Sequence, residues 1–336
     1  MKDLSGKIAV VTGGGSGIGR ELARQLSMEG CSVAICDLSI SAMAETKRLC
    51  ESERRLSGVR ITTHLVDVAD EAQVLRFCDE VAEQHETPCI NLLFNNAGIT
   101  GGGSIVKSTR EEWDRTFNIC WNGVYYGTRA FLPMLLGAEA GHIVNSSSVA
   151  GFWAAAGARI PHTAYSAAKF AVKGFTEALI VDLRENAPHI QCSVVMAGHI
   201  GTAIGVNTRQ ILRHSDATDI CARRAYLEAH GYNVVTMTDA EIETTSDKLE
   251  DDYVKFAPLT AADAAAAIIA GVKADQWRIL IGEDAKQLDK SVRDEPDKAY
   301  DLDFSERFLK KMKSPSRRLR RAFERLKWRR SRIGRH

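Results

Sequence analysis

Tyr165-Ser166-Ala167-Ala168-Lys169 sets a phenol and an ammonium four residues apart, the separation that brings two side chains onto one helix face. A free tyrosine titrates at about pH 10 and is a poor base at neutral pH, but an adjacent cation stabilises its phenolate. The pair reads as a general acid/base whose proton affinity Lys169 lowers, although the pattern alone is common. Upstream, Ser146-Ser147-Ser148-Val149-Ala150-Gly151 follows a short apolar run. A hydroxyl there can hold a substrate oxygen beside Tyr165, while serines after a strand also serve as turn or helix caps.

A second constellation suits binding. Thr12-Gly13-Gly14-Gly15-Ser16-Gly17-Ile18-Gly19 lies between an apolar run at 8–11 and a helix-forming run at 20–29. Gly13, Gly15, Gly17 and Gly19, with Ser16 and Ile18 among them, let the backbone turn tightly against a pyrophosphate. The N–H groups and positive dipole end of the next helix receive its charge. Asp37 follows Gly19 by eighteen residues at the end of the second apolar run, where an acid accepts hydrogen bonds from a ribose hydroxyl. Its carboxylate repels a 2′-phosphate and Leu38-Ser39-Ile40 offers no arginine, so NAD is the expected cofactor and NADP is disfavoured. Asp67-Val68, after the third run, reads as a contact to an adenine edge or as a strand-ending acid capping the next helix, and both can hold.

These residues need a scaffold that delivers them to one edge. Apolar runs at 8–11, 32–36, 60–66, 90–94, 142–145, 191–195 and 278–281 alternate with helix-like segments, the order of β-α-β units. They predict an α/β fold, a doubly wound seven-stranded parallel sheet of Rossmann type. A helix opening with the capping pattern Thr260-x-x-Asp263 precedes the last strand. Residues 205–258 are polar and helix-biased without a strand signal, which predicts a helical insertion covering the substrate. The expected division is a catalytic domain over 1–285 containing that lid, then a charged C-terminal extension over 286–336 with a basic amphipathic helix at 316–333.

Taken together, the glycine loop, Asn95-Asn96-Ala97-Gly98 after the fourth run, the serine after the fifth and Tyr165/Lys169 resemble the short-chain dehydrogenase/reductase family over about residues 5–285. That resemblance implies a single Rossmann-type domain, a nicotinamide cofactor and hydride transfer to or from an alcohol or carbonyl carbon. It makes Tyr165 the general acid/base, and gives Lys169 the tasks of lowering its pKa and holding the nicotinamide ribose. Ser148 orients the substrate oxygen, chosen over Ser147 because the family's serine stands three residues before a glycine, here Gly151. Asn96, Ala97 and Gly98 join the cofactor contacts, and a homodimer or homotetramer is implied.

Two departures from the family's pattern stand out. Its usual asparagine, three residues before a glycine, is Cys120 here, and Asn118 and Asn122 lie about 200° round a helix from it. A thiol is a weak donor and acceptor, so the proton relay is rerouted, or turnover is slow, or the helix has shifted. In Ala197-Gly198-His199-Ile200-Gly201-Thr202 an alanine replaces the usual proline, leaving Ile200 and Thr202 as carboxamide contacts and His199 as a rim histidine. The loop after Ser148 holds about four more residues than the family's pattern. Ile99, Phe152, Trp153, Ile160, Ile204 and Val206 predict an apolar pocket for a bulky secondary alcohol or ketone, hydroxysteroid-like or aromatic. The enzymatic alternative is a 3-oxoacyl-thioester reductase, which Asp37 disfavours, and the non-catalytic one is an NAD-binding sensor or scaffold.

The 336 residues, 45% apolar and 26% charged, exclude a disordered or fibrous chain. No run reaches the length of a membrane-spanning helix, and no export signal is visible. Eight scattered cysteines without paired spacing argue against zinc and for a reducing, cytoplasmic setting. The net charge of +1 conceals 14 Lys/Arg against 2 Glu over 304–336, a basic tail on an acidic body. Leu319, Phe323, Leu326 and Ile333 form one stripe on it, suited equally to a membrane surface or to packing on the body or a second subunit, and less to nucleic acid or a disordered tail.

Overall fold

The computed structural model describes residues 1–155, 161–212 and 216–311, so Ile160 and the basic helix expected at 316–333 lie outside the described residues. In chain order the elements are β1 (Ile8–Thr12), α1 (Gly17–Met28), β2 (Ser32–Asp37), α2 (Ile40–Glu53), β3 (Ile61–Leu65), α3 (Glu71–Gln84), β4 (Leu92–Asn95) and α4 (Arg110–Phe117). They continue through α5 (Gly123–Leu136), β5 (Gly141–Ser146), α6 (Thr163–Asn186), β6 (Ile190–Ala197), β7 (Ile200–Gly201), α7 (Ile204–Leu212), α8 (Asp216–Ala229) and α9 (Asp239–Lys255). The last are β8 (Leu259–Thr260), α10 (Ala261–Lys273), β9 (Arg278–Ile281), α11 (Glu283–Asp294) and α12 (Phe304–Lys311).

Seven parallel strands form one sheet in the order β3-β2-β1-β4-β5-β6-β9. Successive strand residues alternate between faces, and both faces are covered. Val11, Val33, Ile35 and Phe94 pack with Leu22 and Leu26 of α1 and Ile268 and Val272 of α10. Val10, Leu93 and Ile143 pack with Phe77 of α3, Phe131 of α5 and Leu183 of α6. Two-sided burial is why the strands read as continuous apolar runs rather than alternating ones. The chain reverses direction of winding between β1 and β4, which opens a crevice at their carboxyl ends.

The expected insertion is built as three helices, α7 to α9, on a two-stranded base of β7 and β8. Leu227, Ile242 and Leu249 give it a small core of its own. Arg209 pairs with Glu250 and Asp247, and Arg223 with Asp247, binding the three helices to one another. The expected helix start at Thr260 is a capping box in which Thr260 and Asp263 each accept from the other's backbone N–H. The domain boundary expected after residue 285 falls inside α11, which the apolar residues Ala285 and Leu288 bury against the body.

Among the described residues, burial keeps His85, His142 and His162 neutral. Desolvation holds His85, His142 and His162 down at about 4, with the charge of Arg60 adding to it at His85. His85 and His64 both hydrogen-bond the Thr62 hydroxyl, at 2.9 Å each, and His142 shares a 2.7 Å bond with Ser193. The unfolded chain takes up these protons at about pH 6.5 and the folded chain does not, so stability falls as pH drops through the window from about 6.5 to about 4. Each histidine contributes up to about 1.4 kcal/mol per pH unit there. The melting temperature measured by calorimetry is expected to decline steeply below pH 6.5; a flat profile to pH 5 would contradict the neutral burial.

Candidate active site

The crevice between β1 and β4 is closed by backbone contact. At Gly19 a Cβ would overlap the carbonyl oxygen of Gly13, so α1 can start this close to the loop only with glycine there. Gly13, at φ +68, lies against Ala97, whose Cα would stand 2.9 Å from an added Cβ. Thr12, which sequence reasoning missed, joins the two segments. Its hydroxyl accepts from the N–H groups of Asn96 and Ala97, at 3.0 Å each, and the Asn96 amide donates to the Thr12 carbonyl. Asn95 is turned inward, donating to Asn145 and Thr128, and serves the core rather than the crevice.

The start of α1 has no side-chain cap and no acidic residue in its first turn, which leaves its N–H groups to an anion. Asp37 stands over the loop, accepting from the Gly15 N–H at 2.9 Å and from Ser39 at 3.1 Å. Arg20 donates to the Gly15 carbonyl and to Thr46, fixing the loop from its far side. The alternatives for Asp67 separate: the cap of α3 is Asp70, while Asp67 receives the Ala69 N–H and pairs with Arg115 at 2.7 Å. Val68 is buried against Gly123. The glycine cradle, uncapped helix end and Asp37 fit a nicotinamide dinucleotide.

α6 places Tyr165 and Lys169 on one face, the ammonium 5.5 Å from the phenol ring centroid. Lys169 is buried and donates to the Ser146 carbonyl at 2.7 Å. Ser148 rather than Ser147 lies close enough to the Tyr165 phenol to pull its pKa down. Ser147 is spent on the Lys169 carbonyl, 2.8 Å away. Burial pushes the Tyr165 phenol well above the usual range, with nearby Ser148 pulling the other way. Burial likewise lowers the Lys169 ammonium, against a pull upward from Cys120. In the protein alone, desolvation dominates the Tyr165 phenol.

Cys120 lies in a π-helical turn, Asn118–Asn122, between α4 and α5, where the Gly123 N–H reaches back five residues to Asn118. That local shift sets the register of the helix. The Cys120 thiol is buried and donates to the Ile99 carbonyl at 3.2 Å, and the Asn122 amide donates to Asn118. Such wide turns concentrate at functional sites and carry no distinct sequence signal.

The turn after β6 reaches the glycine loop. Thr202 lies over the glycine loop, 3.4 Å from an added Cβ at Gly17, and its N–H donates to Ile200. His199 is engaged, its ring 4.3 Å from that of Tyr253 and its Nε2 sharing a 2.9 Å bond with the Tyr253 carbonyl. α7 of the insertion reaches the loop, where Asn207 donates to Ser16 at 3.0 Å, and Thr208 accepts from the Thr100 N–H beyond the Gly98-Ile99 segment. Gly98 borders both Lys169 and Cys120, and Ile99 is fully buried behind them. Ile204 and Val206 are half-buried on α7.

Two expected pocket residues belong elsewhere. Trp153 is buried with Leu288, Ala299, Phe304 and Phe308, and Phe152 packs on the same group. Both apolar rings found a larger apolar partner in the C-terminal helices than a pocket rim offers. His162, unnoticed in the sequence, places its ring 4.7 Å from that of Tyr165 and bonds Thr100 at 2.8 Å.

A model of the short chain dehydrogenase family matches residues 7–212. The chain belongs to this family. A Mycobacterium tuberculosis protein bearing the oxidoreductase name SadH is 33% identical over 293 residues, 87% of this chain and 92% of its own. Epidermal retinol dehydrogenase 2 of Homo sapiens is 31% identical over 181 residues, 54% of this chain and 56% of its own. A short chain dehydrogenase/reductase from Burkholderia phymatum, solved in complex with NAD, superposes with a TM-score of 0.71 at 28% identity, covering 88% of this chain and 96% of its own. Solved neighbours hold NAD or NADP, and this chain is an oxidoreductase of that family. Among the described residues no helix is long and apolar enough to cross a membrane.

Thr12→Val keeps the shape and removes the acceptor of two N–H groups. Each buried donor left without a partner costs about 1–3 kcal/mol. The variant is expected to melt earlier and to bind dinucleotide at least tenfold more weakly, roughly, by fluorescence titration; unchanged affinity would show that the loop holds without this bridge.

Proposed function

We propose that the chain is an NAD-dependent dehydrogenase or reductase that interconverts a secondary alcohol and a ketone. The observation that carries this reading is the meeting of Ser148, Tyr165 and Lys169 beside the glycine cradle. Bound in that cradle, the nicotinamide supplies the acceptor or donor of hydride. Ser148 holds the substrate oxygen, and Tyr165 takes its proton in oxidation or gives one in reduction. Burial keeps the phenol protonated, the form that ketone reduction requires. Lys169, anchored on the Ser146 carbonyl, stands where its charge favours the phenolate as oxidation proceeds.

Asp37 supports NAD over NADP, because its carboxylate, held at the Gly15 backbone, would repel a 2′-phosphate. A bulky apolar substrate is supported by buried Ile99, by Ile204 and Val206 on the covering helix, and by similarity to a dehydrogenase named for retinol, a large apolar alcohol. His199, with its ring nitrogen engaged, is read as a rim residue rather than a second acid/base. The insertion is read as the substrate cover and a homo-oligomer as the working form. In the tail at 304–336, Phe304 and Phe308 pack on the Trp153 group, and for its basic remainder a membrane surface and packing on protein stay the leading readings.

General acid/base assistance is worth about 10² to 10⁴ in rate, and Tyr165→Phe is expected to lose that much turnover while binding NAD normally. The assay is NADH formation across hydroxysteroids, aromatic and aliphatic secondary alcohols; full activity in the variant would end this mechanism. NAD is expected to exceed NADP as cofactor, and Asp37→Ala to narrow the gap. Cys120→Asn is expected to keep or raise kcat, because the thiol's hydrogen bond goes to the Ile99 carbonyl. A large fall in a folded, NAD-binding variant would instead give the thiol a part in proton movement.

A further inference from the structure

Both walls of the proposed site are held from one helix. On the cofactor side, the Asp284 carboxylate accepts the His199 N–H at 2.7 Å, in the turn that leads from Ala197 to Thr202. Gly198 and Gly282 make room for it, since a Cβ at either would overlap the carboxylate. Gly282 also has φ +97, a backbone that only glycine adopts without strain. Ala197 leaves that turn without the fixed φ of a proline, and a buried acid from another element supplies the restraint instead.

On the substrate side, Ser148 and Trp153 belong to one hydrogen-bonded turn. Gly151 donates to the Ser148 carbonyl and Trp153 to that of Val149, at 2.9 Å each. Trp153 is then fixed at two points beyond the sheet: its indole N–H donates to the Ala299 carbonyl at 2.8 Å, and the Ala154 N–H donates to the Tyr300 hydroxyl at 3.0 Å. Phe304 of α12 lies 5.6 Å from the indole, and Leu288 and Val292 of α11 close the group. Asp284, Leu288 and Val292 recur every four residues, so one face of α11 meets both walls.

We propose that α11 and α12 form a positioning strap that fixes the two walls relative to each other, Asp284 holding the turn of Thr202 and Ala299 with Tyr300 holding the loop of Ser148. The tasks of the two walls rest on the reaction read above. None of these strap residues touches the reacting atoms, so each acts through the segment it holds. The charged extension expected as a separate unit is, up to Phe308, part of the machinery that shapes the site.

The two ends carry different kinetic signatures. Asp284→Ala is expected to raise the KM and Kd for NAD about tenfold with little change in kcat, and Asp284→Asn, whose amide oxygen still accepts from His199, to recover most of it. Trp153→Phe keeps the ring and loses the indole bond, and Tyr300→Phe loses one hydroxyl at an exposed position. Both are expected to lower kcat severalfold at saturating NAD with the NAD Kd unchanged. Hydrogen–deuterium exchange on the full chain, which needs no turnover, is expected to rise at 198–202 in Asp284→Ala and at 149–155 in the other two. Variants that only melt earlier, with unchanged exchange at those segments, overturn the strap whether or not any alcohol is oxidised. If the wild type oxidises no alcohol while the exchange pattern appears as stated, the strap stands and the reaction reading fails alone.

Discussion

The rest of the structure depends on how closely α1 approaches the loop that precedes it. Gly19 touches the Gly13 carbonyl, and any side chain there would lift the helix off the sheet. That approach turns the first N–H groups of α1 toward the crevice without a cap, and it lets Thr12 bridge to Asn96 and Ala97. β4 is thereby registered beside β1, and β5 beside β4, which delivers Ser148 to the same edge. A missing methyl group at one position thus sets the distance between the binding half of the site and its reactive half.

The reactive half is built from groups that burial drives toward neutrality. Desolvation raises the Tyr165 phenol and lowers the Lys169 ammonium, so the phenolate–ammonium pair is disfavoured in both partners before substrate chemistry begins. Ser148 acts against that trend at the phenol, and Lys169 keeps a strong acceptor in the Ser146 carbonyl. Positive charge entering the crevice favours the Tyr165 phenolate and disfavours the Lys169 ammonium further. The low dielectric that makes the resting pair costly also makes such a charge effective at a distance where water would screen it.

Much of this was legible because it is local or periodic. The seven strands, the glycine loop and the Tyr165/Lys169 spacing are written in short windows, and the sheet order follows from β-α-β connection rules. Strand ends were less so: Ile90 donates to the Met134 carbonyl rather than to a neighbouring strand, and β4 begins at Leu92. Thr12 escaped notice because a threonine ending a strand has no special pattern; only the fold brings β4 to its hydroxyl. The π-helical turn at Cys120 was hidden for the same reason, since one extra residue in a helix leaves the composition unchanged.

Trp153 and Phe152 show where loop composition misleads. Large apolar residues after a catalytic strand suggest a pocket wall, but a side chain settles where it buries the most surface and satisfies its polar atoms. For Trp153 that place lies almost 150 residues further along the chain, where the Ala299 carbonyl takes the indole N–H and Phe304 and Phe308 cover the ring. Sequence pattern registers contacts within a few turns of helix and cannot register this one. The aromatic residues after Ser148 thus hold the loop itself in place against the C-terminal helices.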